Sequence, residues 1–224
     1  MLPLEDNADD IRKKAQRGGL RVNEKALREL ANWRPADHEL EGLAMFTTPY
    51  GDMLVNSYVI TDGKVAAAFD TGTDCSGMLK CPIRQIFLTH AHGDHIMDLP
   101  RLKKATRAPA FIGDREDFDE AEKFPAGREF EIGDLKVETR LTCGHTRGGI
   151  TYVVRGLAQP VAVVGDAMFA GSMGGGMWNY AEALRTNREQ ILTLPEDTIL
   201  CCGHGPLTTV GEEKAHNPFF SNAS

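Results

Sequence analysis

Apolar positions in the first part of the chain recur at helical intervals. From Asn7 to Trp33 most residues favour helices, and the pattern is interrupted at Gly18 and Gly19. The apolar positions are Ile11, Ala15, Val22, Ala26, Leu27 and Leu30. Since Pro35 disfavours helical backbone in the residue before it, the second helix is predicted to end earlier. We therefore predict an N-terminal helical leader over residues 1–41, followed by a domain over residues 42–224.

After Gly42 the pattern changes to short runs rich in β-branched and aromatic residues, separated by turn residues. Such runs predict strands, several of them joined as hairpins. The runs are LAMFTT, LVNSYVIT, KVAAAFDTG and IRQIFLT in the first half, and EFEI, LKVETRLT, GITYVVR, PVAVVGD and TILCC in the second. A helix is predicted near Pro100 with Asp98 as its cap, and others over about 180–192 and in the closing amphipathic segment.

The order of these elements is strands, helix, strands, helix. Each sheet needs one face covered, so this order predicts an α/β fold with two sheets packed together and helices outside them. No tandem repeat at a fixed short period interrupts the pattern. With 224 residues and 42% hydrophobic composition, the chain can bury one sizeable core.

Charge and cysteine content narrow the class of protein. Lysine and arginine total 25 against 32 acidic residues, a net charge of -7, which argues against a nucleic-acid partner. The acidic start does not resemble a secretory signal, and no apolar run approaches membrane-spanning length. The five cysteines are odd in number and lack CxxC spacing, which argues against a disulfide framework. We expect a cytoplasmic protein with a small-molecule substrate and no membrane or nucleic-acid partner, while a homo-oligomer remains open.

The segment THAHGDHIMD, residues 89–98, concentrates three imidazoles and a carboxylate. In extended backbone, side chains two residues apart point the same way, so His90 and His92 can converge on one ion. Asp94 and His95 are adjacent and must diverge. A single ion cannot readily collect all four, so the segment predicts two neighbouring ions.

Two ions with about four ligands each need more groups than this segment offers. Further candidates follow predicted strands: His145 in TCGHTRGG, Asp166 after VAVVG, and His204 in CGHGP. Imidazole and carboxylate suit zinc, with iron or manganese as alternatives, and the lack of paired cysteines disfavours a closed structural zinc site. We predict two divalent cations, zinc first, in an open catalytic site.

With these residues in hand, the chain resembles the metallo-β-lactamase superfamily from about Leu43 to Phe220, and within it single-domain hydrolases similar to glyoxalase II. The motifs that carry the resemblance are THAHGDH, GHTRGGITYVV, VVGDAMFAGS and LPEDTILCCGHGPLTTVGEEKAHNPFF. The resemblance implies a four-layer αβ/βα sandwich with the metals at one edge.

The resemblance also implies how the ligands divide. His90, His92 and His145 would hold the first ion, Asp94, His95 and His204 the second, and Asp166 and a hydroxide would bridge them. Asp94 and Asp166 are the predicted catalytic carboxylates. A similar family position, Asp70 in FDTG, would orient an imidazole from behind. Cys143 and Cys202 lie two residues before ligands but are interpreted as small buried hydrophobes.

The implied reaction is thioester hydrolysis, yet the thiol-binding residues differ from those of glyoxalase II. Gly175 and Met177 stand where that family places a basic residue and a tyrosine that hold glutathione, and we expect no counterpart of its helical C-terminal domain. Trp178 and Tyr180 could line a replacement pocket with Met173 and Met177, or could start a packed helix. The alternatives are a lactone, ester or phosphodiester hydrolase, an iron-dependent persulfide dioxygenase, and a non-catalytic metal-binding module.

Overall fold

The computed structural model describes residues 8–17, 22–30 and 32–221. Its first two elements are helices α1 (Ala8–Arg17) and α2 (Glu24–Leu30), as the apolar periodicity predicts. The interruption at Gly18 and Gly19 lies outside the described residues. Both helices pack their apolar faces on a cluster that includes Leu184 and Phe219. The boundary between residues 41 and 42 stays a prediction.

The first sheet contains six strands in chain order. They are β1 (Leu43–Tyr50), β2 (Met53–Thr61), β3 (Ala66–Phe69), β4 (Ile83–Phe87), β5 (Ala110–Gly113) and β6 (Glu122–Phe124). Strands β1 to β3 pair antiparallel, whereas β3 to β6 pair in parallel. Gly51, with a φ of 59°, supplies the left-handed backbone that the tight β1–β2 turn requires.

The second sheet also contains six strands, in the order β12-β11-β10-β9-β8-β7. They are β7 (Glu129–Ile132), β8 (Leu135–Leu141), β9 (Ile150–Arg155), β10 (Val161–Gly165), β11 (Ile199–Cys202) and β12 (Thr208–Thr209). All pairs are antiparallel except the parallel pair of β10 and β11. Central strands such as β10 are buried on both faces, which explains their uninterrupted apolar sequence.

Helices cover the outer face of each sheet. They are α3 (Gly93–Ile96), α4 (Leu99–Thr106), α5 (Tyr180–Thr186) and α6 (Val210–His216), and α5 continues as a π-helical segment, Asn187–Ile191. The predicted cap of α4 needs correction. Asp98 occupies the N-cap position, but its carboxylate accepts from the amide of Cys75 and from Arg101 rather than from a helix amide. Among the described residues, no helix is both long and apolar enough to cross a bilayer.

The main core lies between the two sheets. Phe69 and Phe87 from the first sheet pack against Phe130 and Tyr152 from the second. Separate apolar clusters lie between each sheet and its helices, including Leu102 of α4 on one side. The layers are therefore helix, sheet, sheet, helix, which confirms the predicted α/β four-layer sandwich.

Two buried tyrosines tie the sheets together by hydrogen bonds. The hydroxyl of Tyr152 in β9 donates to the carbonyl of Leu88, next to the end of β4, over 2.7 Å. The hydroxyl of Tyr58 in β2 donates to the carbonyl of Cys202 in β11 over 2.6 Å. Burial raises the pKa of both phenols, so both remain protonated donors.

Phe87 provides a test of this core. Its ring is fully buried and contacts aromatic rings from both sheets. We expect Phe87→Ala to lower the free energy of unfolding by about 3–5 kcal/mol, because it removes a large buried ring and leaves a cavity. Denaturant unfolding of chelator-treated protein measures this. Arg84→Ala, an exposed change on the same strand, should cost no more than about 0.5 kcal/mol; equal losses in both variants would contradict the predicted core.

Candidate metal centre

The seven residues predicted as ligands meet at one edge of the sandwich. Four follow β4 of the first sheet, and the other three follow β8, β10 and β11 of the second. Their ligating atoms form two groups, each with all its atoms within 4.8 Å of one another. The first contains His90, His92, His145 and Asp166, and the second contains Asp94, His95 and His204. The structure therefore brings together all of the predicted site residues.

In the first group three ring nitrogens converge. Nε2 of His90 lies 3.0 Å from Nδ1 of His92, and Nε2 of His145 lies 2.9 Å from the same atom. His90 and His92 share one loop, as their spacing predicts, whereas His145 approaches from the opposite sheet. Three nitrogens aimed at one point can serve as three ligands of a tetrahedral cation.

The second group combines one carboxylate with two imidazoles. Oδ2 of Asp94 lies 3.3 Å from Nε2 of His204 and 3.7 Å from Nε2 of His95. Helix α3 starts at Gly93 and turns Asp94 and His95 away from the first group. Asp94 and His95 therefore contribute to the same group instead of diverging as expected for adjacent residues of extended backbone, because the backbone is helical at this point.

Asp166 lies between the two groups. Its Oδ2 is 3.3 Å from Nε2 of His145 in the first group and 3.5 Å from Nε2 of His204 in the second. Its Oδ1 is 3.2 Å from Nε2 of His95. A single carboxylate thus faces ligands of both groups, as a bridging ligand would.

In His145 and His204 the nitrogen that points away from the centre is hydrogen-bonded to a backbone carbonyl. Nδ1 of His145 donates to the carbonyl of Gly175 over 2.9 Å, and Nδ1 of His204 donates to the carbonyl of Leu54. Because a carbonyl only accepts, the proton lies on Nδ1 and the lone pair of Nε2 points inward. This is the tautomer that metal binding through Nε2 requires.

Asp70 organises two more of the five imidazoles, those of His95 and His90, from behind. Its Oδ2 accepts from Nδ1 of His95 over 2.7 Å and from the hydroxyl of Thr89, whose oxygen lies 3.0 Å from Nδ1 of His90. Its Oδ1 accepts from the amide of Thr89. Asp70 has a φ of 55°, a left-handed conformation that is uncommon outside glycine, and these hydrogen bonds hold it there. The contact expected for Asp70 is present.

Charge in the centre is arranged to attract a cation. Burial and the neighbouring imidazoles lower the pKa of His90 and His92, which favours the neutral, ligating form. Burial alone would lower the pKa of His95, but the charges of Asp70 and Asp166 raise it to about 10. Despite its burial, Asp166 has a pKa well below its usual range because of His95 and His204. Asp166 therefore stays ionised, and its negative charge favours a cation beside it.

Two buried atoms of the centre remain without hydrogen bonds. Nε2 of His95 and Oδ1 of Asp166 make none with any described residue, although they are close neighbours. Leaving such atoms unsatisfied is costly, and a cation between them would bind both. The donor set of five imidazoles and two carboxylates therefore fits a pair of divalent ions.

Glycines allow this close approach. A Cβ atom on Gly203 would lie 2.1 Å from Oδ1 of Asp166 and 2.7 Å from Cε1 of His95. A Cβ atom on Gly174 would lie 1.8 Å from the carbonyl oxygen of Asp166. The side chains at the centre can keep their positions only because these two residues lack a Cβ atom.

A cavity of about 340 Å³ opens directly onto the ligands. Its other walls include Met53, Phe169 and Met177. Of the two alternatives for Trp178 and Tyr180, the replacement pocket is therefore only partly present, since Trp178 is not among the cavity walls and Tyr180 is the first residue of helix α5. Met177 lines the cavity, but Met173 is fully buried and Tyr180 packs beside it in the cluster that contains the leader helices. Sequence patterns missed Met53 and Phe169, because only tertiary packing brings them to the ligands.

The cysteines near the ligands lie outside both groups. Cys143 and Cys202 are buried free thiols, and burial raises the pKa of each. A protonated thiol is a poor ligand. These residues therefore fit their interpretation as small apolar side chains.

Comparisons with known proteins agree with this architecture. Residues 50–204 match the sequence model of the metallo-beta-lactamase superfamily. The probable metallo-hydrolase YqgX of Bacillus subtilis is 30% identical over 209 residues, covering 79% of this chain and 97% of that protein. The hydroxyacylglutathione hydrolase GloC of Haemophilus influenzae is 25% identical over 199 residues, covering 75% of this chain and 93% of GloC.

A similar solved structure is that of BLEG-1, a B3 metallo-beta-lactamase. It has a TM-score of 0.68 and 27% sequence identity, and the match covers 80% of this chain and 100% of BLEG-1. The extent of this match shows that the sandwich is shared over the full length of that protein.

Asp166 should be required for the binding of a pair of ions. We expect Asp166→Ala to remain folded but to lose paired occupancy, because its carboxylate faces ligands of both groups. Metal content per chain, measured by elemental analysis after loading and desalting, tests this. Asp166→Asn keeps the volume and removes the charge, so it should also bind fewer ions. Two ions per chain in either variant would contradict a bridging role.

Gly203 should be intolerant of a side chain. We expect Gly203→Ala to weaken metal binding by about tenfold or more, since the added methyl group displaces Asp166 and His95. Gly175→Ala is the matched control, because its Cβ atom would meet nothing closer than Met177 at 3.8 Å. Chelator competition measures both affinities, and equal values for the two variants would contradict the steric argument.

Proposed function

The chain belongs to the metallo-beta-lactamase superfamily, and on that basis we propose that it is a dinuclear metal-dependent hydrolase that cleaves small acyl thioesters. The observation that carries the proposal is the pair of ligand groups joined by Asp166. His90, His92 and His145 would hold one ion, Asp94, His95 and His204 the other, and Asp166 both. When bound, two ions supply an activated water and polarise a carbonyl oxygen.

The carboxylates of Asp94 and Asp166 have separate roles in this proposal. Both line the cavity, so both can contact a water or substrate that enters it. Although burial opposes ionisation, His204 lowers the pKa of Asp94, which therefore remains a hydrogen-bond acceptor at neutral pH. An ionised Asp94 can orient the attacking water, while Asp166 fixes the spacing of the two ligand groups.

The walls of the cavity favour an uncharged carbonyl substrate. Apart from the ligand side chains and two glycines, its described walls are Met53, Phe169 and Met177, with no lysine or arginine among them. A phosphodiester brings a negative charge that these walls do not complement, and the chain itself carries a net charge of -7. A thioester, in which an uncharged acyl group is bonded to a polarisable sulfur, can make favourable apolar contacts with methionine and phenylalanine side chains.

The similarity to GloC, a hydroxyacylglutathione hydrolase that is 25% identical to this chain, supports thioester hydrolysis. The apolar walls nevertheless differ from the basic and tyrosine contacts of glyoxalase II, because Gly175 and Met177 occupy those positions. This difference favours a thioester with a small or apolar thiol over a glutathione conjugate. It also supports a second candidate, a lactone or carboxylic ester, since both place an uncharged carbonyl at the same point.

A substrate panel separates these functions. Metal-replete protein would be assayed with S-lactoylglutathione, an N-acetylcysteamine acyl thioester, a lactone, a β-lactam and a phosphodiester, with Asp166→Ala as the inactive control. We expect the highest kcat/KM with the N-acetylcysteamine thioester. Higher values for the lactone would favour the second candidate. Substrate binding without turnover would support a non-catalytic module. One iron per chain, together with sulfite production from an added glutathione persulfide and O₂, would support persulfide oxidation.

The apolar walls themselves can be tested. Met53 and Met177 are 46% and 73% exposed, so truncating them should leave the core intact. We expect the double variant Met53→Ala/Met177→Ala to raise KM for an apolar acyl thioester by about tenfold with little change in kcat, because it removes contacts remote from the carbonyl. Met45→Ala, an exposed methionine outside the cavity walls, should leave both constants unchanged. An unchanged KM in the double variant would show that the acyl group binds elsewhere.

A further inference from the structure

Glu116 is a buried carboxylate outside the ligand groups. It lies in the loop between β5 and β6 and is only 7% exposed. It neither belongs to a ligand group nor lines the cavity. A buried carboxylate is costly unless several donors satisfy it, so its partners indicate its role.

Those partners lie on the two loops that carry the first ligand group. Oε2 of Glu116 accepts from the amide of Ala91, the residue between His90 and His92, over 3.1 Å. Oε1 accepts from the hydroxyl of Thr146, the residue after His145, over 2.6 Å, and from the amide of Gly148 over 2.8 Å. One side chain thus joins a loop of the first sheet to a loop of the second.

We infer that Glu116 is a positioning residue that sets the distance between His145 and the pair His90 and His92, and so selectively supports binding of the first ion. The inference rests on the dinuclear centre of the proposed function. Backbone pairing of Ile150 with Thr89 already fixes the two strand ends. Glu116 adds hydrogen bonds between the two loops beyond these strand ends, which carry His90, His92 and His145.

Close packing keeps the carboxylate in place. A Cβ atom on Gly148 would lie 2.5 Å from the amide nitrogen of Glu116, and one on Gly113 would lie 2.5 Å from the carbonyl oxygen of Gly148. The loop of Glu116 therefore lies directly against the loop that follows His145. Little room remains for another side chain to replace these hydrogen bonds.

The chemistry of the contact requires a carboxylate. Three donors meet two oxygens, and each oxygen only accepts. Glutamine in the same place has one oxygen and one NH₂ group, so at least one donor would face another donor. Glu116→Gln therefore breaks the connection between the loops without changing the volume.

The second ligand group is held by other contacts. Asp70 orients His95, and the carbonyl of Leu54 orients His204. Neither contact involves Glu116. A change at Glu116 should therefore weaken one ion far more than the other, which a general loss of stability would not do.

The test compares Glu116→Gln with Asp117→Asn, an exposed neighbour with the same change of charge. Both would be stripped of metal, loaded with Zn²⁺, and titrated with a competing chelator to obtain two stepwise affinities. We expect Glu116→Gln to bind one ion at least about tenfold more weakly and the other with wild-type affinity. Asp117→Asn should match the wild type at both.

A second pair of variants identifies the ion affected. In a His204→Ala background the second group is incomplete, and adding Glu116→Gln should still lower the remaining affinity at least about tenfold. The melting temperature of the stripped proteins reports on folding. Wild-type affinities in Glu116→Gln, or equal losses at both ions together with a lower melting temperature, would overturn the positioning role. Wild-type protein that fails to bind two ions would instead contradict the proposed function, and the inference with it.

Discussion

The centre depends on two tyrosine hydrogen bonds that cross the sandwich in opposite directions. Tyr152 reaches from the second sheet to Leu88, and Tyr58 reaches from the first sheet to Cys202. Each accepting carbonyl lies two residues before a ligand, His90 in one case and His204 in the other. Since the apolar core sets the distance between the sheets, these bonds fix how far apart the two sets of loops begin. The geometry of the ligands follows from that spacing.

Electrostatics then constrains the centre as strongly as packing does. Asp70, Asp94 and Asp166 are buried together, and Oδ1 of Asp166 makes no hydrogen bond with a described residue although Nε2 of His95 lies 3.2 Å away. Buried charge needs compensation, so the arrangement favours bound cations over a dry, neutral core. Among the described residues, the cavity walls beyond the ligands include no lysine or arginine, which favours an uncharged reactant. The buried carboxylates thereby determine the affinity for cations, and the apolar walls beside them determine which substrates fit.

Most strands and all seven candidate ligands could be predicted from the sequence, because the patterns that indicate them extend over only a few neighbouring residues. The HxHxDH spacing and strand-end positions such as His145 placed the ligands, and apolar runs placed most strands. Short β5 and β6, with four and three residues, carry too little alternation to be predicted. Glu116 belongs to no motif, and Phe169, although it lies within VVGDAMFAGS, carries no local sign of a place beside the ligands, because only long-range packing gives both residues their neighbours. Asp98 shows the same limit. The helix-capping pattern predicts that its carboxylate accepts from an amide of its own helix, but the carboxylate accepts from the amide of Cys75 instead.

The division of ligands between the sheets has a consequence for the lifetime of the protein. Each ion would receive groups from both halves, for example His92 with His145 and Asp94 with His204. An ion bound in this way holds the two sheets together, because separating them would break its bonds to ligands from one of the sheets. Any species that binds only the native state stabilises it by mass action. Resistance to proteolysis should therefore increase with the concentration of available metal ions. When these ions are scarce, the protein should be degraded as well as inactive.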